Sequence, residues 1–154
     1  MVSEKVGLVG RVSIVIRDSE NNIKDSREIH NLVVNNGKAF IAQSILKTTT
    51  NTPAAMTHIG VGTGTTAAAI ADAALITEIG TRAAVTPTNV TTTVTNDSAQ
   101  YVATFAAGNA TGAITEAGIF NASTAGTMAC RTVFSVVNKG ANDSMTITWK
   151  ITVT

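Results

Sequence analysis

Aromatic and charged side chains are both scarce in this chain of 154 residues. Phe, Tyr and Trp together make up 4% of it although 44% of the residues are hydrophobic, so Ala, Val and Ile have to fill the core. Such small side chains favour thin layers, as in two packed sheets. Charged residues amount to 14%, against roughly 25% in ordinary soluble domains. The surface is then mainly Thr, Ser, Asn, Gly and Ala, which favours an exterior covered by neighbouring subunits, with an extracellular β-protein as the alternative.

Other absences narrow the class of protein further. A formal net charge of +1 and the lack of any Lys/Arg-rich run predict no nucleic-acid partner. No run approaches the roughly 18 apolar residues of a membrane span, and no hydrophobic signal core follows residues 1–5. We therefore expect no membrane partner, and folding in a cytoplasm. Cys130 is the only cysteine, which excludes an intramolecular disulfide and the Cys/His spacings of zinc sites, and it is predicted to be a buried thiol.

The clearest pattern that is present lies in the final stretch, residues 143–154. Alternate positions are apolar, and the positions between them carry Thr or Lys. Because successive side chains of a strand point to opposite faces, this alternation predicts a half-buried strand. Trp149, the only Trp of the chain, lies on the apolar face and is the predicted anchor of the core.

Strands and turns account for most of the remaining chain. Residues 6–17 and 23–35 predict a hairpin, and from residue 80 onward strands and turns recur at roughly ten-residue spacing. Residues 38–47 are the best helix candidate. The alanine-rich residues 65–75 predict a second helix or an ordered loop, and propensity favours the helix. The sequence therefore predicts a mainly β fold, an antiparallel, jelly-roll-like β-sandwich with one or two short helices.

A single domain spanning residues 1–154 is the expected organisation, because no linker or internal repeat divides the chain and its length can bury a real core. The N-terminal hairpin region, residues 1–35, is a candidate arm for partner contacts. Strand is predicted at residues 78–85 and again at 91–95, with an interruption at 86–90.

Two groups of residues resemble chemical motifs but lack the partners that the chemistry needs. Gly60, Gly62 and Gly64 are spaced as in a phosphate-binding loop, yet no Lys follows and the context is all β. Close packing at a strand end explains them better. His30 and His58 are the only histidines, and nothing near them in sequence supplies the carboxylates of a metal site. We therefore expect no metal, no cofactor and no catalytic residue.

Glu116 is the most informative polar residue, because it lies among small and apolar neighbours where an unpaired charge is costly to bury. Arg82 and Arg131 are its candidate partners, within the chain or across a subunit boundary. A structural ion pair is favoured over a catalytic acid, since no second carboxylate lies nearby in sequence.

Two groups of segments, which together cover roughly residues 56–154, form a familiar pattern. The first is IGVGTGTTAAA at residues 59–69, with DAALITE at 72–78 and Arg82. The second is GAITEAGIFN at residues 112–121, with RTVF at 131–134 and TITW at 146–149. This arrangement of strands and turns resembles small β-rich structural proteins of tailed-phage virions. The resemblance implies a non-enzymatic structural protein, made in the host cytoplasm and located in the virion.

Three hypotheses about function follow. The leading one is a capsid cement (decoration) protein that binds the major capsid protein of a phage head as a homotrimer, because icosahedral shells offer threefold sites. Residues 1–10 are the segment expected to reach a neighbour by strand addition. The alternative is a tail, baseplate or fibre module that binds other virion proteins or host glycans, against which the scarcity of aromatics counts mildly. A glycan hydrolase is the third hypothesis, and the missing carboxylate pair disfavours it.

Overall fold

Two five-stranded sheets make up most of the protein. A computed structural model describes residues 5–46 and 52–154, and this part of the chain contains ten strands and one helix. The elements are β1 (Leu8–Arg17), β2 (Ile23–His30), β3 (Leu32–Val33), α1 (Asn35–Leu46), β4 (His58–Gly62), β5 (Glu78–Ala84), β6 (Thr88–Val90), β7 (Ser98–Phe105), β8 (Gly112–Phe120), β9 (Met128–Lys139) and β10 (Ser144–Val153). Sheet A has the order β2-β1-β10-β7-β6, and sheet B has the order β3-β9-β8-β4-β5.

The sheets pack around one main core, so the predicted antiparallel β-sandwich is confirmed. All neighbouring strands are antiparallel, and hairpins alternate between the sheets: β1–β2 in A, β4–β5 in B, β6–β7 in A and β8–β9 in B. The core takes Ile14 and Ile147 from sheet A and Ile59 and Ile119 from sheet B. The jelly-roll-like connectivity stays a prediction. Among the described residues, no helix is long and apolar enough to cross a membrane.

Strands β1 and β10 form the centre of sheet A and pair along the whole length of β1. Trp149 of β10 is fully buried, and its Nε1 donates a hydrogen bond to Oδ1 of Asn31 at 2.8 Å. Because β1 also pairs with β2, both strands of the N-terminal hairpin belong to sheet A. The use of residues 1–35 for partner contacts stays a prediction. Of the contact segment predicted at residues 1–10, residues 1–4 lie outside the described part, and the residues from Leu8 onward pair with β10.

The second half of the strand predicted at residues 23–35 is wrong, because the chain changes sheets at Asn31. β2 ends at His30 in sheet A, and β3 continues as an edge strand of sheet B. Long-range hydrogen bonds hold the crossing: the Thr132 hydroxyl donates to the His30 carbonyl at 2.8 Å, and Asn31 accepts from Trp149. Thr132 and Trp149 lie 102 and 118 residues away from their partners in the sequence, so the residues around Asn31 could not predict these bonds.

One helix is present in the described part of the chain. α1 matches the helix predicted at residues 38–47 but begins at Asn35, and residue 47 lies outside the described residues. Gly37 is its one buried residue, and a Cβ there would collide with the backbone of Ala129, so the helix lies directly on β9. The helix that propensity favours at residues 65–75 is wrong: this segment is a loop of turns and bends.

The pattern of strand and turn at residues 86–97 is the reverse of the predicted one. β6 occupies the predicted interruption, and residues 91–97 make a turn instead of a strand. The carboxylate of Asp97 accepts hydrogen bonds from three backbone N–H groups, and such local bonds compete with a strand ladder. The donors are Thr92 at 2.8 Å, Thr93 at 2.8 Å and Val94 at 2.9 Å.

We expect Trp149→Ala to lower the free energy of unfolding by about 3–5 kcal/mol, because it empties the centre of the core and removes the donor to Asn31. Urea denaturation followed by circular dichroism measures this change. Thr148→Ala, on the neighbouring outward position of β10, is the matched control and should cost less than about 1 kcal/mol. Equal losses for the two variants would contradict the role of Trp149 as the core anchor.

Candidate functional site

Glu116 holds a loop on the outer face of sheet B. Its neighbour Ala117 belongs to the main core, so the Glu116 side chain projects to the opposite face, where it is 0% exposed beneath the loop of residues 63–77. The carboxylate accepts three hydrogen bonds from backbone N–H groups of that loop. The donors are Gly64 at 3.1 Å, Ile76 at 3.1 Å and Thr77 at 2.8 Å.

Arg131, on β9, is the counter-ion of Glu116. Its Nε and Nη2 donate to Oε2 of Glu116 at 3.0 and 2.8 Å, and both side chains are 0% exposed. Its Nη1 also donates to Oδ2 of Asp72 at 2.7 Å. The remaining hydrogen bonds of the guanidinium go to carbonyl oxygens of the same loop, those of Thr66 at 3.0 Å and Ala67 at 3.4 Å. One buried cation therefore attaches the loop to sheet B at several points.

Both carboxylates of this cluster are held in their ionised form. Burial alone would raise the pKa of Glu116, but the hydrogen bonds from Thr77 and Ile76 and the charge of Arg131 outweigh it and lower that pKa below its ordinary value. The backbone N–H of Ala69 lowers the pKa of Asp72, and Arg131 adds to this effect. The cluster therefore has the contacts of a structural clamp, with its charges directed at one another and at the backbone.

Arg82 is not the partner of Glu116, so one of the two pairings predicted for Glu116 is wrong. Arg82 pairs instead with Glu78, its Nε lying 2.6 Å from Oε1. Its guanidinium carbon lies 3.4 Å from the centroid of the Phe120 ring, a cation–π contact. The same guanidinium donates to two carbonyl oxygens of the turn after β8, those of Ala122 at 3.0 Å and Ala125 at 2.7 Å. Arg82 is thus a second clamp on the same face of sheet B.

A second, smaller core lies between sheet B and the segments that cover it. Its members come from β8, β9, the residue that precedes α1 and the loop 63–77, and each is at most 8% exposed. They are Val34, Leu75, Phe120 and Met128. The outer face of sheet B is therefore sealed by apolar packing as well as by ion pairs.

The glycines of residues 60–64 allow the loop to approach the sheet closely. A Cβ at Gly62 would collide with the carbonyl of Thr77, and a Cβ at Gly64 would collide with the carboxylate of Glu116. These positions need Gly for close backbone approach, as the strand-end interpretation expects.

The two histidines lie on different sheets. His30 is exposed on β2, and Nδ1 of His58 on β4 lies 2.9 Å from the hydroxyl of Thr57. Within residues 5–46 and 52–154, no group of three or more His, Cys, Asp or Glu side chains could hold a metal ion. Cys130 is fully buried, and burial raises the pKa of its thiol to about 12, so the thiol stays protonated.

Three aspartates that hold turns or loops escaped the sequence-based prediction. Asp143 is 4% exposed and accepts hydrogen bonds from Lys24 at 2.6 Å and from the N–H of Gly140 at 2.8 Å. Asp97 and Asp143 each lie in a turn-rich stretch where Asp commonly accepts local backbone hydrogen bonds, so turn chemistry could have located them. Turn chemistry could not have identified the ion-pair partner of Asp72, because that partner, Arg131, lies 59 residues away in the sequence.

The outer face of sheet A, in contrast, is open. At one end of this face, beside the turn 91–97, Ser98 and Thr152 are buried and hydrogen-bonded to each other, and Ser98 also bonds Thr92. The other side chains of the face are exposed or half-buried, and most of them are uncharged. They are Val9, Arg11, Ser13 and Val15 on β1, Ser26, Glu28 and His30 on β2, Gln100, Val102 and Thr104 on β7, and Thr146, Thr148 and Lys150 on β10. Arg11 stands opposite Lys150 on one side and opposite His30 on the other. Neither Arg11 nor Lys150 forms an ion pair with another described residue, although like charges placed opposite each other cost stability.

No protein-family model matches the chain, and no curated protein and no solved structure matches it either. The fold and its contacts define a class: an antiparallel β-sandwich with one outer face sealed by clamped loops and the other left open. The resemblance to virion proteins stays a prediction.

We expect Glu116→Ala to lower the free energy of unfolding by about 3–5 kcal/mol, because it leaves Arg131 buried without its counter-ion. Urea denaturation measures the loss. Asp25→Ala breaks the half-exposed Asp25–Arg27 pair and is the matched control, with an expected cost below about 1 kcal/mol.

The double variant Glu116→Met/Arg131→Met should be more stable than Glu116→Ala alone, since apolar side chains can replace a buried pair without leaving a charge behind. A double variant that is less stable than the single one would contradict a mainly structural pairing.

Acid should weaken the fold through the same cluster. A carboxylate whose pKa is lowered by folding adds stability that is complete above its ordinary pKa and is lost as the pH falls through its folded value. When the pH is lowered below about 4.5, which is the ordinary pKa for Glu116, the melting temperature should therefore fall. Calorimetry across this range checks it, and Glu116→Gln should start lower and decline less steeply. A wild-type melting temperature that does not change with acid would contradict the clamp.

Proposed function

We propose that this chain is a structural subunit of a tailed-phage virion, and specifically a capsid cement protein that binds the outer surface of the head as a homotrimer. The observation that carries the proposal is the difference between the outer faces of the two sheets. Charged and apolar side chains seal the outer face of sheet B, whereas the outer face of sheet A, apart from the end beside the turn 91–97, carries exposed and half-buried polar and β-branched side chains.

The open face suits a docking surface. Thr, Ser and Val lose little rotamer freedom when a partner covers them, so a flat face made of them binds at a small entropic cost. Arg11 and Lys150, which lack acidic partners among the described residues, favour a partner surface that carries carboxylates. We therefore take the outer face of sheet A as the surface that meets the capsid protein.

The edges of sheet A are less suited to contact by strand addition. β6 is only three residues long, and β2 carries Asp25 and Arg27 at inward positions, where they pair with each other. Arg27 also donates to the Ser135 carbonyl on sheet B at 3.0 Å, which closes this side of the sandwich. Short edges and inward charges are the features that protect a sheet from edge pairing. Contact through the face of sheet A is therefore the mode that we propose, and the strand addition expected for residues 1–10 stays a prediction.

The mechanism is stabilisation by mass action. A ligand that binds only the assembled shell lowers the free energy of that shell, and three copies joined in one trimer multiply their individual contacts through effective concentration. Such a role needs a rigid surface and no reacting group. The chain is made in the host cytoplasm and ends in the virion.

The purified chain should sediment as a trimer and should co-sediment with heads of the phage that encodes it. Val102→Arg, in the middle of the open face, should reduce this binding at least about tenfold, because it places a bulky charge in the contact. Thr124→Arg, in the exposed turn over sheet B, is the matched control and should bind as the wild type does. Circular dichroism of each variant establishes that it is folded.

A monomer that never co-sediments with heads would contradict the proposal. The proposal would also be contradicted if Thr124→Arg abolished binding to heads while Val102→Arg left that binding intact. Quantitative electrophoresis of intact virions distinguishes the tail or fibre alternative: hundreds of copies support cement, and a handful support a tail, baseplate or fibre module.

A further inference from the structure

One end of the sandwich contains a cavity of about 270 Å³ between the two sheets and beneath α1. Its wall is formed mainly by apolar side chains from several elements. They include Phe40 and Ile41 of α1, Met56, Ile119 of β8, Ile151 of β10 and Ala99 of β7. Asn89 and Asn96, both exposed, lie where the cavity opens to solvent. This space is separate from the open face of sheet A and has no part in the function proposed above.

The helix over the cavity is incompletely packed. Phe40 and Ile41 are only half-buried although they line the cavity, and Gly37 is the one residue of α1 that is buried. Ile45 and Leu46, further along the helix, are 79% and 66% exposed. An apolar occupant would bury more of Phe40 and Ile41, and that burial favours binding.

The cavity wall includes one tyrosine, Tyr101, whose hydroxyl is accessible to an occupant. Tyr101 lines the cavity and is 7% exposed, and no described residue accepts or donates a hydrogen bond at its hydroxyl. Burial raises the pKa of Tyr101, so this hydroxyl keeps its proton and can donate. A ligand acceptor placed at this hydroxyl would gain a hydrogen bond beside the apolar wall.

Among the described residues, no unpaired charge faces the cavity. The Cys130 thiol, also in the wall, stays protonated, since burial raises its pKa to about 12. Of the described residues in the lining, Asp97 alone carries a charge, and its carboxylate already accepts the N–H groups of its own turn. A charged ligand would lose its hydration without gaining a counter-ion.

We infer that this cavity is a binding site for a small, neutral, mainly apolar molecule with one hydrogen-bond acceptor, which takes the Tyr101 hydroxyl proton. A dry cavity of about 150 Å³ accommodates benzene, so this one has room for about ten non-hydrogen atoms. The apolar part lies among Phe40, Ile119 and Ile151, and the acceptor lies at Tyr101.

The test uses 2-nonanone as the probe, with nonane as the analogue that lacks the acceptor and nonanoate as the charged analogue. Titration of the full chain, followed by the amide signals in heteronuclear NMR, should give saturable binding of the ketone with a Kd on the order of 100 μM. Nonane should bind about tenfold more weakly, and nonanoate should not bind at the same amides. The amides that shift should be those around the cavity, in α1 and at the start of β7.

Two variants and a control locate the site. Tyr101→Phe should weaken the ketone about tenfold and leave nonane unchanged. Ala99→Leu, which fills the cavity from β7, should abolish binding of both probes. Gln100→Leu, one residue along on the outer face, should have no effect. The amide spectrum of each variant shows whether it is folded.

Absence of saturable ketone binding would overturn the inference, as would binding that survives Ala99→Leu in a folded protein. Equal weakening of ketone and nonane by Tyr101→Phe would overturn the role of the hydroxyl. None of these outcomes affects the co-sedimentation with heads, so the two proposals stand or fall separately.

Discussion

The ion pair between Glu116 and Arg131 is the interaction on which the asymmetry of this protein depends. Burying two opposite charges is costly, and the cost is offset only where further hydrogen bonds satisfy both groups. Here the donors and acceptors that do so belong to the backbone of the loop 63–77 and to Asp72. The pair can be buried only if the loop lies on sheet B. The loop in turn covers the second core around Phe120 and Met128.

The two faces of the sandwich consequently differ in what they offer a partner. Among the described residues, the buried charged side chains stabilise the fold: they hold loops and turns, and their hydrogen bonds go to other groups of the same chain. The outer face of sheet A carries Arg11 and Lys150 without such partners, on a flat surface of short side chains. A protein built in this way presents one preformed surface, and this is the property that links the fold to the proposed role in a virion.

The scarcity of aromatic residues has a structural consequence at the end of the sandwich. Small residues such as Ala99 and Ala129 line the space beneath α1, and larger side chains in their place would fill part of the cavity. Trp149 fills the middle of the core, where no such space remains. The same composition that predicts thin packed layers therefore leaves a cavity between the two sheets and beneath α1.

The sequence by itself determined the fold class, the apolar face of the last strand and the burial of Trp149, because the period of two is a local signal that survives folding. It also indicated that Glu116 needs a cation. Only the tertiary structure decided that the cation is Arg131 and that Arg82 pairs with Glu78. It also decided that residues 65–75 form a loop and that the chain changes sheets at Asn31. The Arg82–Glu78 pair joins residues only four positions apart. The other outcomes depend on hydrogen bonds between residues far apart in the chain, which can override helix and strand propensities worth less than about 1 kcal/mol per residue.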